Sequence, residues 1–301
     1  MLAGKGRKDT ALMDAFTVRP MTHADLKAAA EVTNAAFASA PGSAGEPTFP
    51  LGECELRFAS DPRGCFVAAD ETGSVLGVLF SVARGSLGWF GPLAVQPDSQ
   101  QGGIGEALVA ECLTAWAGRD IRLMGLETFA DSRFHIQFYG RLGFRPAWTG
   151  LAFRGPAWER AMPAGVETGG LMPDLDFVLP GLDVYAEVVA TATLGAGQVL
   201  TTDDGVALVH WNSAFHADAG FVPFLAARTR TSFDRLLAGA EHLVREHGKQ
   251  HLIARTSGSA WPTLDALAAR GYRIHGAMVR MKSGEHLDYD RGEKFYLDSW
   301  L

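Results

Sequence analysis

The chain has 301 residues, 47% of them hydrophobic and 20% charged, and its formal net charge at pH 7 is −7. This length exceeds the common size of one domain, and the composition is that of a globular protein, so two domains are expected. The negative charge argues against nucleic acid as the main partner, because binding phosphates needs a basic surface. No apolar run approaches the roughly 18 to 20 residues that cross a bilayer, so no membrane partner is expected.

The cysteines give an expectation about the compartment. Cys54, Cys65 and Cys112 are three scattered residues without a C-x-x-C pair. An odd count without metal-like spacing predicts reduced thiols in a cytoplasmic protein. Residues 1–14 are charged and lack an apolar signal region, so they are interpreted as a frayed tail.

Periodicity and turn residues predict alternating strands and helices over the first half of the chain. The order is strand, helix, three strands, helix, strand, helix, strand. The helix after the third of the three consecutive strands places Ile104, Leu108, Cys112 and Trp116 on one face. Strands are predicted at residues 16–20, 66–69, 75–82, 87–95, 123–129 and 148–153, and residues 38–46 are predicted to be a loop.

The strongest motif lies where the strand Leu87–Val95 meets the next helix. Glycines let a phosphate approach the backbone, and the N-terminus of a helix offers free amides and a positive dipole end. A dinucleotide fingerprint would need a third glycine where Leu108 stands, so that alternative is rejected. The loop residues are Gln100, Gln101, Gly102, Gly103, Ile104 and Gly105.

A second motif follows in the run Phe138-Tyr139-Gly140-Arg141-Leu142-Gly143-Phe144. It predicts a helix that carries a tyrosine and ends at Gly143, with Asp131 or Ser132 as its N-cap. Together, this motif and the glycine loop resemble the acyl-CoA-binding and tyrosine-bearing motifs of the GNAT superfamily of N-acetyltransferases. The resemblance spans about the first half of the chain.

The resemblance implies an α/β fold, with two tandem GNAT folds built on a mixed, mostly antiparallel sheet flanked by helices. It also implies which residues contact acetyl-CoA, the expected co-substrate. The loop residues would bind the pyrophosphate, while Leu93, Ala94 and Val95 would pair through their backbones with the pantetheine arm. Ser132 stands near the usual asparagine of the family and would be a helix cap, a cofactor contact or both. Gln100 and Gly102 stand where the family often has basic residues.

The resemblance also suggests the catalytic groups. Tyr139 would protonate the departing thiolate, because a phenol is a weak acid near the range of a thiol. The alternative is a tyrosine that anchors the helix by packing. Glu127, near the end of the strand Leu123–Phe129, is the candidate base for the attacking amine; the alternative is a solvated or salt-bridged carboxylate.

The second half looks like a degraded repeat of the first. The segment between strand and helix, residues 228–234, has no glycine, and Ser232 is expected to cap the helix. When Gly271 is aligned on Gly143, Leu267 falls where Tyr139 stands. The predicted division is a catalytic domain at residues 15–155, a Pro/Gly-rich linker at 156–174 and a degenerate GNAT-like domain at 175–301.

These observations predict an N-acetyltransferase that moves an acetyl group from acetyl-CoA to a primary amine of a small molecule or peptide, by direct attack. No metal is expected, because Gly248 interrupts His247 and His251 and no cysteine or carboxylate stands at ligand spacing. The alternative is a non-catalytic acyl-CoA sensor or regulatory protein whose second domain docks a partner. Whether the protein forms a homodimer is left open.

Overall fold

A computed structural model describes residues 16–39, 49–158, 161–212, 216–284 and 294–299. The predicted tail and most of the predicted loop at 38–46 lie outside these residues. Contacts divide the chain into two compact units, the first with Met1–Ala83 and Phe90–Ile121, the second with Arg84–Trp89 and Arg122–Leu301. The strand β4, Leu87–Val95, contributes to both units. The predicted boundary at 156–174 does not coincide with this division and stays a prediction.

The first unit is a small antiparallel sheet with helices. Its strands follow the order β1-β2-β3-β4, and β2 pairs antiparallel with both β1 and β3. The predicted helix after β4 is confirmed, with Ile104, Leu108, Cys112 and Trp116 all buried. The helix α2, Leu51–Ser60, was not predicted from the sequence. The elements are β1 Thr17–Pro20, α1 Leu26–Ala38, α2 Leu51–Ser60, β2 Phe66–Ala69, β3 Val75–Arg84, β4 and α3 Ile104–Ala117.

The second unit contains the rest of the sheet. Two parallel pairs, β4 with β5 and β10 with β11, occur among antiparallel pairs, which confirms the predicted mixed, mostly antiparallel sheet flanked by helices. Its elements are β5 Leu123–Phe129, α4 Arg133–Arg141, β6 Arg145–Pro156, β7 Glu167–Thr168, α5 Tyr185–Thr193, β8 Gly197–Thr202, β9 Gly205–His210, β10 Ala219–Ala227, α6 Arg230–Glu246, β11 His251–Ser257, α7 Trp261–Ala269, β12 Arg273–Gly284 and β13 Phe295–Asp298.

Strands from the two halves of the sequence interleave within this second unit. The sheet order runs β4-β5-β12-β6-β11-β10-β9-β8-β7, so β12 lies between β5 and β6, and β6 lies between β12 and β11. The pairing is antiparallel on both sides of β12, with Arg280 opposite Glu127 of β5 and Trp148 of β6. The hydrophobic core of this unit packs α6 and α7 against β8 to β11, through Phe233, Leu237, Leu252 and Leu267 among others.

Candidate active site

The loop between β4 and α3 begins with a short turn. A single 3-10 turn covers Pro97–Ser99, and α3 begins at Ile104. The side-chain amide of Gln100 donates a hydrogen bond from Nε2 to the carbonyl oxygen of Val95 over 3.2 Å. This bond fastens the start of the loop to the end of β4.

The backbone of this loop adopts left-handed conformations. Gln101 has φ 65° and is the sole non-glycine residue with positive φ in the described part of the chain. A side chain in that conformation costs about 1 kcal/mol or more, and such strain concentrates at functional sites. Gly103 has φ 85°, and an added Cβ there would meet no atom within 4 Å. Gly103 therefore serves the backbone conformation and leaves open space beside the start of the helix.

The N-terminus of α3 has no side-chain cap. Gly103 is the N-cap and provides no side-chain hydrogen bond, and the first bond of the helix runs from the Ala107 amide to the Gly103 carbonyl over 3.0 Å. The earlier amides of a helix have no acceptor within it, and the helix dipole adds partial positive charge there. Ile104 is buried and faces Gly77 of β3, where an added Cβ would lie 2.6 Å from its Cγ2. The first turn of the helix contains no basic side chain and one acidic side chain, Glu106.

The strand that leads into the loop presents its backbone. Ala94 is buried, while Leu93 and Val95 are half-buried. Residues 87–89 of β4 pair with residues 123–125 of β5, and the Gln96 amide bonds the Leu76 carbonyl of β3 over 2.8 Å. The expected pairing of Leu93, Ala94 and Val95 with an acyl-CoA arm stays a prediction.

Tyr139 lies in the second unit on α4. Ser132 caps this helix as predicted, accepting a hydrogen bond from the His135 amide over 3.3 Å. Tyr139 is buried against the edge of the Phe138 ring, with centroids 5.0 Å apart. Burial raises the pKa of the Tyr139 hydroxyl well above its ordinary value. Gly143 (φ 93°) terminates the helix, where the Phe144 amide bonds the Tyr139 carbonyl over 3.0 Å.

Glu127 lies in a buried chain of charges. Its Oε1 accepts from Nε of Arg280 over 2.6 Å, and its Oε2 accepts from Nη1 of Arg255 over 3.3 Å. The Glu127 side chain is 1% exposed, and Arg280, 0% exposed, also donates to Oδ2 of Asp298 over 2.8 Å. This is the salt-bridged arrangement that the sequence left open. The assignment of Glu127 as the base stays a prediction, and both of its oxygens are engaged by guanidinium groups.

His135 is a partly buried histidine near Tyr139 that the sequence-based assignment did not include. It stands one helical turn before Tyr139, and its ring lies against Phe134 and Phe129, with centroids 5.4 and 6.2 Å away. Within the described ranges, its buried Nδ1 has no hydrogen-bond partner. Burial lowers the pKa of His135 below its ordinary value. The available signal was the spacing of four residues, which places both side chains on one helix face.

Other chemistries have little support in the described residues. Within them, no group of three or more His, Cys, Asp and Glu residues could hold a metal ion. The three cysteines are free and buried, and burial raises the pKa of each thiol to about 12. No helix in the described part of the chain combines the length and apolar character that crossing a bilayer requires.

Comparisons with known proteins find similar sequences and similar structures. Residues 61–146 match the family model described as an acetyltransferase (GNAT) domain. A mycothiol acetyltransferase of Streptomyces bingchenggensis is 32% identical over 149 residues, 48% of this chain and 47% of that protein. One of Streptomyces avermitilis is 30% identical over 156 residues, 51% of this chain and 50% of that protein. The alignments thus cover about half the length of these relatives.

Solved structures share the fold at low sequence identity. A protein from Pyrococcus horikoshii aligns with TM-score 0.73 and 16% identity, over 95% of both chains. A tandem GNAT protein from the clavulanic acid biosynthesis pathway aligns with TM-score 0.55 and 15% identity, over 89% of this chain and 98% of that one. Both alignments extend well beyond the residues that match the family model, so the likeness of fold includes the second half of the sequence.

Proposed function

We propose that this chain is an N-acetyltransferase that uses acetyl-CoA and a primary amine, in keeping with the match of its residues 61–146 to the GNAT acetyltransferase domain model. The observation that carries the proposal is the loop before α3, with its left-handed Gln101 and Gly103 and the uncapped first turn of the helix. A free helix N-terminus of this kind suits a phosphate group.

The loop residues fit the phosphates of acetyl-CoA. The amides of Gln101, Gly102, Gly103, Ile104 and Gly105 would bind the pyrophosphate, and Gln100 would hold the loop against β4. Acetyl-CoA supplies an acetyl group activated as a thioester. The backbone of Leu93, Ala94 and Val95 would bind its arm as an added strand, and Ser132 would contact it from the start of α4.

An amide near Val95 would also serve the reaction itself. A fixed N–H group aimed at an oxygen where negative charge develops lowers the barrier of acyl transfer. Holding both substrates at once contributes proximity as well.

Tyr139 would be the acid of the reaction. Because its pKa is raised by burial, the phenol keeps its proton throughout the neutral range, and that is the form an acid must have. The proton would pass from the Tyr139 hydroxyl to the leaving sulfur.

The base has two candidates. Glu127 is the predicted one, yet each of its oxygens already accepts a hydrogen bond from an arginine, and its side chain is 1% exposed. His135 is favoured by a specific observation, because its Nδ1 has no partner among the described residues and its lowered pKa leaves the ring neutral at pH 7. A neutral imidazole can take a proton from the attacking amine, and His135 shares a helix face with Tyr139.

The acceptor class follows from the relatives. Those two proteins are mycothiol acetyltransferases, which favours a small-molecule amine as the acceptor of this chain. The net charge of −7 is compatible with a cationic amine. A cytoplasmic location is part of the same proposal, and the assembly state is left open.

One experiment separates this enzyme from the sensor alternative. Thiol release from acetyl-CoA is measured with a panel of glucosamine, ethanolamine, lysine amide and the amine acceptor of mycothiol acetyltransferases. Amine-dependent release by the wild-type chain, absent in Gly103→Glu, supports the transferase. Binding of acetyl-CoA without release for any amine would support the sensor.

A further inference from the structure

The strand β10 changes its neighbour halfway along its length. Residues 219–222 pair in parallel with residues 251–254 of β11. From Phe224 to Ala227 the same strand pairs antiparallel with β13, in a register that puts Phe224 opposite Asp298 and Ala227 opposite Phe295. Beyond Val222 and Ala254 a space lies between β10 and β11. We call it the second cleft, because it belongs to the second half of the sequence. The C-terminal strand β13 occupies it.

Both edges of β13 are hydrogen-bonded. Besides its ladder with β10, the Tyr296 carbonyl accepts a hydrogen bond from the Thr256 hydroxyl of β11 over 3.0 Å. The Tyr296 amide donates to the Thr263 hydroxyl of α7 over 3.1 Å, and the Ser299 amide donates to the Pro223 carbonyl over 2.7 Å. Tyr296, Leu297 and Asp298 are each 0% exposed. A segment held on both edges and fully buried fills the cleft as an inserted strand.

Hydrogen bonds from the Arg280 guanidinium hold the end of β13. Arg280 of β12 donates to the Asp298 carboxylate over 2.8 Å and to the Asp298 carbonyl over 3.0 Å, while its Nε donates to Glu127. Glu127 and Asp298 balance the charges of the guanidinium groups of Arg280 and Arg255, so loss of either carboxylate leaves one positive charge uncompensated. The carboxylate of Glu127 therefore contributes to holding β13 in place.

The N-terminus of α6, the helix after β10, is the other place in this half where a ligand could bind, and it carries a side-chain cap. The N-cap of α6 is Thr229, whose hydroxyl accepts from the Ser232 amide over 3.3 Å, so Ser232 lies inside the helix and the expected Ser232 cap is wrong. The first turn of α6 thus satisfies one of its own amides. Neither the strand edge nor the helix end of this half is open in the way that the loop before α3 is.

We propose that the second cleft is a strand-binding site whose ligand is an extended peptide, namely residues 294–299 of the chain itself, and that this peptide excludes an acyl-CoA arm. Pairing of a peptide with an exposed strand edge is a general mode of recognition, with main-chain hydrogen bonds giving affinity. The inference goes beyond the proposed reaction and stands on the pairing of β10, β11 and β13 alone.

Hydrogen exchange on the full chain tests the inference. Without ligand, the amides of Tyr296, Leu297 and Ser299 are expected to exchange at least about 100-fold more slowly than in a free peptide, as for a buried ladder. Asp298→Asn should accelerate exchange of these amides more than that of the β8–β9 ladder. Exchange in the wild-type chain at the rate of a free peptide would overturn the proposal, and this measurement does not depend on any variant folding.

A competition experiment tests the ligand class. In a Leu297→Gly, Asp298→Asn variant, the synthetic peptide Lys-Phe-Tyr-Leu-Asp-Ser should restore slow exchange to the β10 amides that face β13, whereas acetyl-CoA should not. Protection of those amides by acetyl-CoA and not by the peptide would show that the cleft takes a cofactor arm. Failure of the transferase assay would leave either outcome readable, because neither requires turnover.

Discussion

The junction between β4 and α3 and the junction between β10 and α6 are built on the same order of strand, loop and helix. The first has left-handed residues at Gln101 and Gly103 and no side-chain cap. The second has no residue of positive φ in its described loop, and Thr229 caps its helix. The contrast shows that two junctions with the same scaffold differ in the φ angles of the loop and in the side-chain cap at the start of the helix.

The strands that lead into the two junctions, β4 and β10, also differ in the strands with which they pair. In the sheet order, β4 has the neighbours β3 and β5, whereas β10 has β9, β11 and β13. β4 pairs with β5 through residues 87–89, whereas β10 pairs with β11 through residues 219–222 and with β13 through residues 224–227. The part of β10 that pairs with β13 also pairs with β9, so it has no edge for an added strand. Sequence comparison of the two halves finds the missing glycines of the second loop, and the structure adds the strand that fills its cleft.

The largest expected effect comes from a substitution in the loop between β4 and α3. Gly103→Glu places bulk and negative charge where the pyrophosphate would bind, so the rise in melting temperature that acetyl-CoA produces by mass action should be abolished. Gly248→Glu is the matched control, because Gly248 also has positive φ (76°) and open space beside it. A preserved shift in Gly103→Glu would place the cofactor elsewhere.

The next effect compares one tyrosine from each half. Tyr139→Phe keeps the ring and removes the proton donor, so kcat should fall by about 10² or more while acetyl-CoA affinity holds. Tyr272→Phe also removes a buried hydroxyl, here one that donates to Glu241 over 3.1 Å, and should cost about 1 kcal/mol of stability without slowing turnover. Equal turnover in both variants would make Tyr139 a packing residue.

Substitutions of the two candidate bases, His135 and Glu127, should differ in their effects on kcat and on the melting temperature. His135→Gln should lower kcat by about 10², the usual contribution of a positioned base, with little change in melting temperature. Glu127→Gln should lower the melting temperature, because the guanidinium groups of Arg255 and Arg280 would lose the carboxylate between them, at a cost of about 3 kcal/mol. His242→Gln on α6 is the histidine control. If Glu127→Gln instead lowers kcat without loss of stability, the sequence-based assignment is correct.

The smallest effect probes the second junction. Thr229→Ala removes the cap of α6 and should cost about 1 kcal/mol of unfolding free energy, measured by denaturant titration. Calorimetry should still find one acetyl-CoA site per chain, because β13 occupies the cleft whether or not the amide is freed. Two sites in this variant, or in the wild-type chain, would mean that the second half is not closed to the cofactor.

Local patterns predicted much of this molecule. The four-residue spacing from Ile104 to Trp116 predicted α3 and its buried face, and Ser132, one of the two predicted caps, is the cap of α4. The loop from Gln100 to Gly105 was selected from its glycines between a strand and a helix and from its resemblance to a GNAT motif, and its role in binding stays a prediction. These features depend on residues a few positions apart, so the sequence contains their causes.

Long-range partners could not be predicted in this way. Glu127 meets Arg255 and Arg280 at separations of 128 and 153 residues, and nothing near Glu127 indicates them. Likewise, β13 is a strand of four residues whose place depends on where β11 leaves β10. Among the described residues, Nδ1 of His135 has no hydrogen-bond partner. This depends on which side chains lie around it in the fold, and a linear pattern does not reveal them.

The interleaving of β12 and β6 bears on how the chain folds during synthesis. A nascent chain that ends before residue 273 has made β5 and β6 but lacks the strand that lies between them. The edges of β5 and β6 that face β12 stay unpaired until β12 has left the ribosome, and unpaired edges are prone to aggregate. Fragments that stop in the region 156–174 should therefore be less soluble than the 301-residue chain.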